Sequence, residues 1–133
     1  MTLTSAMHIE AIKNVLSVHP DIDVAILFGS VARGNARLDS DLDIAVRSER
    51  PLGADEKMHL VGELALATGR AIDLIDLHVV GEPLLGQILK HGQCIVASSD
   101  RMVELMRRHV FDTEDFMPYV QRMLAERRNA WIG

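Results

Sequence analysis

The chain has 133 residues, of which 48% are hydrophobic and 25% charged, and its formal net charge is −5. This size and composition predict one soluble domain that buries a core without disulfide or metal staples. The acidic balance argues against a broad basic surface for nucleic acid, because phosphate neutralisation requires clustered Lys and Arg. Cys94 is the single cysteine, which excludes an intramolecular disulfide and suits a reducing compartment. No signal peptide or membrane-spanning stretch is recognisable, so we expect a cytoplasmic protein with no membrane partner.

The first third of the chain reads as a helix followed by two strands. Apolar residues of the first helix recur at helical spacing: Ile9, Ile12, Val15 and Leu16. The run "VAILFG", Val24 to Gly29, is almost continuously apolar, as expected for a strand covered on both faces. The stretch "DLDIAVR", Asp41 to Arg47, alternates instead. Its Leu42, Ile44 and Val46 should point to one side, and Asp41, Asp43 and Ala45 to the other.

The middle of the chain continues the alternation of helices and strands. Asp55–Thr68 is predicted to be a helix that Gly69 ends, and its inward residues should be Met58, Val61, Leu64 and Ala65. "AIDLIDL", Ala71 to Leu77, predicts a third strand. Pro83 to His91 predicts a short helix closed by Gly92, and Cys94 to Ser98 a fourth strand.

The C-terminal part reads as two helices, one capped by Ser99 or Asp100 and a last one capped by Thr113. The predicted fold class is therefore α/β (or α+β), with a small mixed sheet of about four strands flanked by helices. We expect one domain over residues 1–133, with a core of about 1–98 and C-terminal helices over about 99–133.

Two carboxylates stand at alternate positions of the second strand. On one face of a strand, Asp41 and Asp43 would lie only about 7 Å apart, and their repulsion is relieved by a cation between them. A calcium loop does not fit, since Ile44 occupies the glycine position of that motif and Arg50 the position of its final glutamate. A solvated strand edge and a Mg²⁺ site remain. Mg²⁺ typically takes one or two protein carboxylates and fills its other positions with water and substrate phosphate.

A third carboxylate is available on the next predicted strand. Asp73 and Asp76 are three residues apart and so face opposite sides of it. Asp73 interrupts Ile72 and Leu74, as the paired aspartates interrupt the apolar residues of their own strand. We therefore assign Asp73 to the metal site, and Asp76 to the strand end or to a pair with a basic group.

The residues before the carboxylates suit a triphosphate. Gly29 follows an apolar strand, where it lets a ligand approach the backbone closely, and Ser30 adds a hydroxyl donor. The following "SVAR" can begin a helix whose free N–H groups bind phosphate. Arg33 supplies a forked cationic donor. Gly-Ser alone is a weak signal, but the Asp-x-Asp that follows Ser30 after ten intervening residues makes it a strong one.

The stretch "GSVARGNARLDSDLDIAV" closely resembles the signature of the DNA polymerase β-like nucleotidyltransferases, and its short form resembles the minimal, MNT-type members. The resemblance implies that Gly29, Ser30 and Arg33 bind the nucleotide. It also implies that Asp41, Asp43 and Asp73 are catalytic and hold two Mg²⁺ ions, with ATP as substrate.

Minimal members of this family are commonly antitoxins encoded beside a HEPN-type RNase toxin. The resemblance therefore implies transfer of AMP from ATP to a tyrosine hydroxyl of that toxin, within a hetero-oligomer and without direct contact to nucleic acid. Two alternatives stay open. One is an antitoxin that neutralises by binding alone, and the other is a small-molecule adenylyltransferase of the aminoglycoside type.

The remaining reactive residues receive ordinary structural interpretations. The six histidines show no zinc-ligand spacing with Cys94, and we expect them at the surface or at helix ends. Cys94 itself is predicted to be a small buried hydrophobe. The basic segment Arg122 to Trp131 is predicted to be a solvated helix end, with a contact to an acidic partner protein as the alternative.

Overall fold

The computed structural model describes residues 2–29 and 41–112. Four helices in these ranges are numbered in chain order: α1 (Thr2–Leu16), α2 (Ala54–Thr68), α3 (Leu84–His91) and α4 (Ser99–Asp112). The strands are β1 (Ile22–Phe28), β2 (Leu42–Ser48), β3 (Ile72–Asp76) and β4 (Gln93–Ala97). The predicted alternation of helices and strands is confirmed here, with shifts of one or two residues at most strand ends. The last predicted helix, from Thr113, lies outside the described residues.

The four strands form one mixed sheet in the order β3-β2-β1-β4. β1 pairs antiparallel with both β2 and β4, whereas β2 and β3 run parallel. The connection between the parallel strands is α2, as a parallel pair requires a crossover. Because β2 and β3 are parallel neighbours, their N-terminal ends lie side by side at the same end of the sheet.

Helices cover both faces of this sheet. On one face, α1 and α2 bury Ile12, Leu16, Leu60 and Leu64 against the alternate apolar residues of β2 and Leu74 of β3. On the other face, Leu85 and Ile88 of α3 and Leu105 of α4 pack on the other side of the sheet, against Val24, Ile26 and Ala45 among others. This second face is the one to which Asp43 and Asp73 point, because each alternates with residues of the first core.

Helix α2 shows how local pattern and tertiary packing differ. It ends, as predicted, at Gly69, which adopts the left-handed conformation with φ 69°. The prediction that Met58 faces inward is wrong, since 73% of Met58 is exposed, and Leu60 takes the buried position with Leu64. Several stripes spaced by three and four residues fit one apolar helix, and only the position of the sheet selects between them.

Two further predictions are wrong. Cys94 is exposed rather than buried, because β4 pairs only with β1 and forms an edge of the sheet. His8 is 8% exposed and so belongs to the interior rather than to the surface. Within the described ranges, no helix has the length and apolar character needed to cross a bilayer.

Candidate active site

Asp43 and Asp73 lie directly opposite each other on the neighbouring parallel strands β2 and β3. Residues paired in register point to the same face of a sheet, so the fold places these two carboxylates side by side. Asp73 is exposed, and Asp43 is partly buried. The prediction that Asp73 shares the side of Asp43 therefore agrees with the strand register.

Asp41 occupies a different position from the one its alternation suggested. Strand β2 begins at Leu42, whose amide donates to the carbonyl of Ala71 at 2.9 Å. Asp41 immediately precedes the strand and is exposed. It therefore lies two residues before Asp43 in the chain, at a position that is not part of strand β2.

Gly29 lies against the carboxylate of Asp43. It directly follows β1, where Phe28 pairs with Asp43 across the antiparallel strands. Gly29 has φ 75°, a conformation that side chains disfavour, and a Cβ atom placed there would overlap Asp43 Oδ2. Only glycine satisfies both conditions, because the Asp43 carboxylate itself occupies the volume that a Cβ atom would need.

Phe28 is a site residue that sequence reasoning did not single out. Its register with Asp43 places it in the same row as the carboxylate pair, and it packs partly buried at the margin of the second core. It gives that row an apolar wall. The available signal was its place directly before the glycine that touches Asp43.

Asp76 has a structural role at the other end of β3. It is 6% exposed, and both of its carboxylate oxygens accept backbone amides. Oδ2 accepts from the amide of Leu52 and Oδ1 from that of His78, both at 2.9 Å. Asp76 thus ties the segment after β2 to the segment after β3. Of the two roles suggested for it, the strand end is the one observed.

The carboxylates of Asp43 and Asp73 are ligands that suit Mg²⁺. Carboxylate oxygens are the hard ligands that this ion prefers, and the register of β2 with β3 places two carboxylates, Asp43 and Asp73, side by side. Within residues 2–29 and 41–112, no three His, Cys, Asp or Glu side chains converge closely enough to enclose a metal ion. The described residues therefore offer a pair of carboxylates rather than a closed cage, as expected for an ion that completes its shell with water and phosphate.

Two of the predicted nucleotide-binding residues, Ser30 and Arg33, lie outside the described residues. Gly29 is the last residue of its described segment and Asp41 the first of the next. The segment that links them therefore starts and ends at the candidate site, which is the connection that the sequence motif requires.

Comparison with known proteins identifies the family to which the chain belongs. The family described as polymerase beta nucleotidyltransferase matches residues 10–101, which are 92 of the 133 residues. The protein adenylyltransferase MntA of Shewanella oneidensis is 32% identical over 74 residues, which make up 56% of this chain and 53% of that relative. The chain thus spans about half the length of this curated relative.

Solved structures share the fold over nearly the whole chain. A toxin–antitoxin complex with AMP-PNP superposes with a TM-score of 0.67 at 25% identity, covering 92% of this chain and 94% of the other. The MNT antitoxin complex with the tri-AMPylated HEPN toxin of Shewanella oneidensis gives a TM-score of 0.64 at 23% identity. It covers 95% of this chain and 94% of its match, and at that identity it supports the fold. With the family match over two thirds of its length, the chain belongs to the polymerase β nucleotidyltransferase family.

Proposed function

We propose that this protein is an antitoxin that transfers AMP from ATP to a tyrosine hydroxyl of a cognate HEPN-type toxin and so neutralises it. The observation that carries the proposal is the register of Asp43 opposite Asp73, with Gly29 against the Asp43 carboxylate. The relative named a protein adenylyltransferase and the related complex with AMP-PNP support the choice of reaction and of nucleotide. The fold shared with the tri-AMPylated toxin complex agrees with it.

The proposed reaction is an in-line displacement at the α-phosphorus of ATP. The tyrosine oxygen forms a bond to this phosphorus while the bond to the β-phosphate oxygen breaks, and pyrophosphate leaves. Asp73 is the exposed carboxylate of the pair, so we assign to it the acceptance of the phenolic proton. Gly29 lets the Asp43 carboxylate lie against the backbone that follows β1, and Phe28 provides an apolar wall beside Asp43 and Asp73.

Mg²⁺ is the cofactor that this donor set would take. Asp43 and Asp73 would hold it with Asp41, and the bound ion would neutralise phosphate charge during transfer. In the absence of the ion, the two carboxylates and a triphosphate repel one another. We therefore expect nucleotide binding to depend on a divalent cation, and chelation by EDTA to remove it.

The proposed partner is a protein rather than a polynucleotide. The net charge of −5 disfavours a broad phosphate-binding surface. We accordingly propose a hetero-oligomer with the toxin in the cytoplasm, with no direct contact to nucleic acid. Within this proposal, Ser30 and Arg33 bind the triphosphate.

The test is incubation with α-labelled ATP, Mg²⁺ and the protein encoded by the neighbouring gene. We expect label on that protein, and its loss when the acceptor tyrosine is replaced by phenylalanine. Asp43→Asn should abolish labelling, whereas Asp100→Asn, an exposed aspartate on α4, should leave it unchanged. The two alternatives predict other results. A tight complex that neutralises the toxin without label would indicate an antitoxin that acts by binding alone, and label on an aminoglycoside would indicate a small-molecule enzyme.

A further inference from the structure

A second cavity lies at the opposite end of the sheet from the candidate active site. It has a volume of about 520 Å³ and is bounded by the start of β1 and the end of β2, at Ile22 and Ser48. Six residues along β1 and five along β2 separate these positions from the pair Phe28–Asp43, a distance of roughly 17–20 Å at the rise of a strand. The volume falls within the range of ligand-binding cavities.

The walls of this cavity are apolar and its rim is acidic. Val18, Pro20, Ile22, Leu52 and Leu60 contribute apolar surface. Asp21, Asp55 and Glu56 contribute exposed carboxylates. An adjoining cavity of about 280 Å³ shares Asp21, Ser48 and Glu56 and adds Glu49 and Arg50. Four carboxylates therefore face one arginine across the two cavities.

Histidines of the rim are already engaged with a different carboxylate. His19 Nε2 lies 3.0 Å from Glu63 Oε1, and His59 Nε2 lies 3.4 Å from the same oxygen. Within residues 2–29 and 41–112, by contrast, no ion pair or side-chain hydrogen bond compensates Asp21, Asp55 or Glu56. The positive end of the α2 dipole partly stabilises Asp55 and Glu56 in its first turn. Asp21 is not part of α2 and so lacks this stabilisation.

Ser48 is an independent indication of a ligand. It is 8% exposed and lines both cavities. Its backbone carbonyl accepts a hydrogen bond from Nε2 of His78 at 2.6 Å. Its hydroxyl has no hydrogen-bond partner in the described part of the chain. Little of this residue is exposed, and the surface that it does expose lines the two cavities. A ligand with several N–H donors satisfies both this hydroxyl and the carboxylates of the rim.

We propose that this cavity binds an arginine or lysine side chain of a partner polypeptide. The methylene stem of such a side chain packs on the apolar wall, and its cationic head meets Asp21, Glu56 and Ser48. A polypeptide fits better than a free small cation because apolar surface continues outside the cavity. Val18, which lines the cavity, is 68% exposed, and only a chain that extends beyond the cavity covers it. The proposal does not depend on the transferase reaction.

The test uses two capped tripeptides, acetyl-Ala-Arg-Ala-amide and the same peptide with neutral, isosteric citrulline. Binding to the full chain is followed through the methyl NMR signals of Leu52 and Leu60. We expect saturable shifts with the arginine peptide and about tenfold weaker binding of the citrulline peptide, because a charge-assisted contact is lost. The double variant Asp21→Asn, Glu56→Gln should weaken the arginine peptide to a similar extent. The matched control Glu10→Gln, Asp100→Asn removes the same charge from exposed positions elsewhere and should change binding less than about twofold.

Several results would overturn the proposal: no saturable shift, equal binding of both peptides, or unchanged binding by the double variant. Agmatine binding as tightly as the arginine peptide would assign the cavity to a free cation instead. Loss of the signal changes on dilution, with a matching change in sedimentation, would assign it to a second copy of the chain. Asp73→Asn should bind the arginine peptide normally, so failure here and failure of the transferase assay are separate results.

Discussion

Asp73 and Asp76 lie on the same short strand, three residues apart, and point to opposite faces of the sheet. Asp73 is exposed and stands beside Asp43 on the neighbouring strand. Asp76 is almost fully buried, and each of its oxygens accepts a backbone amide. The first carboxylate has lone pairs available for a ligand, whereas the second uses its own to join two segments of backbone. Free acceptor capacity, rather than residue type or place on the strand, therefore separates the candidate catalytic aspartate from the structural one.

The largest expected effect is on activity at the exposed end. Asp73→Asn removes one negative charge and the proposed proton acceptor while preserving size. We expect AMP transfer to fall by about 10²- to 10⁴-fold, with a change in unfolding free energy below about 0.5 kcal/mol because the side chain is exposed. The measurement is a labelled-AMP transfer rate beside urea unfolding of the same preparation. A loss of stability as large as the loss of activity would show that Asp73 is structural as well.

The next effect is on stability at the buried end. Asp76→Ala leaves the amides of Leu52 and His78 without their acceptor, and we expect a loss of about 3 kcal/mol in unfolding free energy. Asp76→Asn keeps one amide oxygen as an acceptor and should cost less, about 1 kcal/mol. Urea unfolding monitored by circular dichroism measures both. Activity per folded molecule should stay within about tenfold of wild type. An Asp76→Asn protein that is fully stable but inactive would reverse the assignment of the two aspartates.

A smaller effect is expected from the glycine that touches Asp43. Gly29→Ala introduces a Cβ in a left-handed conformation, which costs about 1–2 kcal/mol, and the new atom overlaps Asp43 Oδ2. Because the carboxylate has to move, affinity for the metal–nucleotide pair should fall more than stability does. Gly69→Ala is the matched control, since Gly69 also has positive φ but no neighbour within 4 Å of a Cβ. Equal affinities of the two variants for AMP-PNP would contradict the inference that the contact of Gly29 with Asp43 matters for nucleotide binding.

The smallest effect concerns His8, which extends the comparison to a buried polar group that lacks a partner. Its Nδ1 is buried and has no hydrogen bond to any residue in the described ranges. Burial, followed by the positive charge of Arg70, lowers the pKa of His8 below its usual value. The unfolded chain then binds this proton more readily than the folded one. The stability contribution is therefore fully present above about pH 6.5 and falls as the pH drops toward the lowered folded pKa.

His8→Gln tests this dependence, because glutamine does not titrate. The difference in unfolding free energy between the variant and wild type should shift in favour of the variant as the pH is lowered from 8 to 5. Denaturant unfolding at fixed ionic strength across that range measures it. A pH-independent difference would show that the pKa of His8 is the same in the folded and unfolded states.

The sequence predicted much of the candidate active site because strands have a simple geometry. A period of two placed Asp43 opposite to the apolar residues of β2, and the same rule put Asp73 on the matching side of β3. Register supplied what a single strand cannot show, since only the pairing of β2 with β3 makes Asp43 and Asp73 neighbours. The contact between Gly29 and Asp43 is likewise a tertiary fact, to which the motif pointed only through its glycine.

The errors arise where several local patterns are equally good. Met58 and Leu60 both fit an apolar stripe on α2, and the sheet selected Leu60. Cys94 lies in an apolar run but on an edge strand, and His8 lies on the inward side of α1. In each case burial depends on which element lies next to the residue in space. Two segments lie outside the described residues: the link over residues 30–40 and the basic segment from Arg122. The roles assigned to their residues remain predictions.

The most direct test of the proposed site asks whether the metal ion and the nucleotide bind where β1 ends and where β2 and β3 begin. Mn²⁺ replaces Mg²⁺ in the presence of AMP-PNP, and its paramagnetism broadens the NMR signals of nearby amides. We predict the strongest broadening at Gly29, Asp43 and Asp73, weaker broadening at Asp76, which lies about 10 Å from Asp73 along β3, and the weakest at Ser48. Broadening at Asp76 but not at Asp73, or none that depends on AMP-PNP, would contradict the assignment of this edge as the active site.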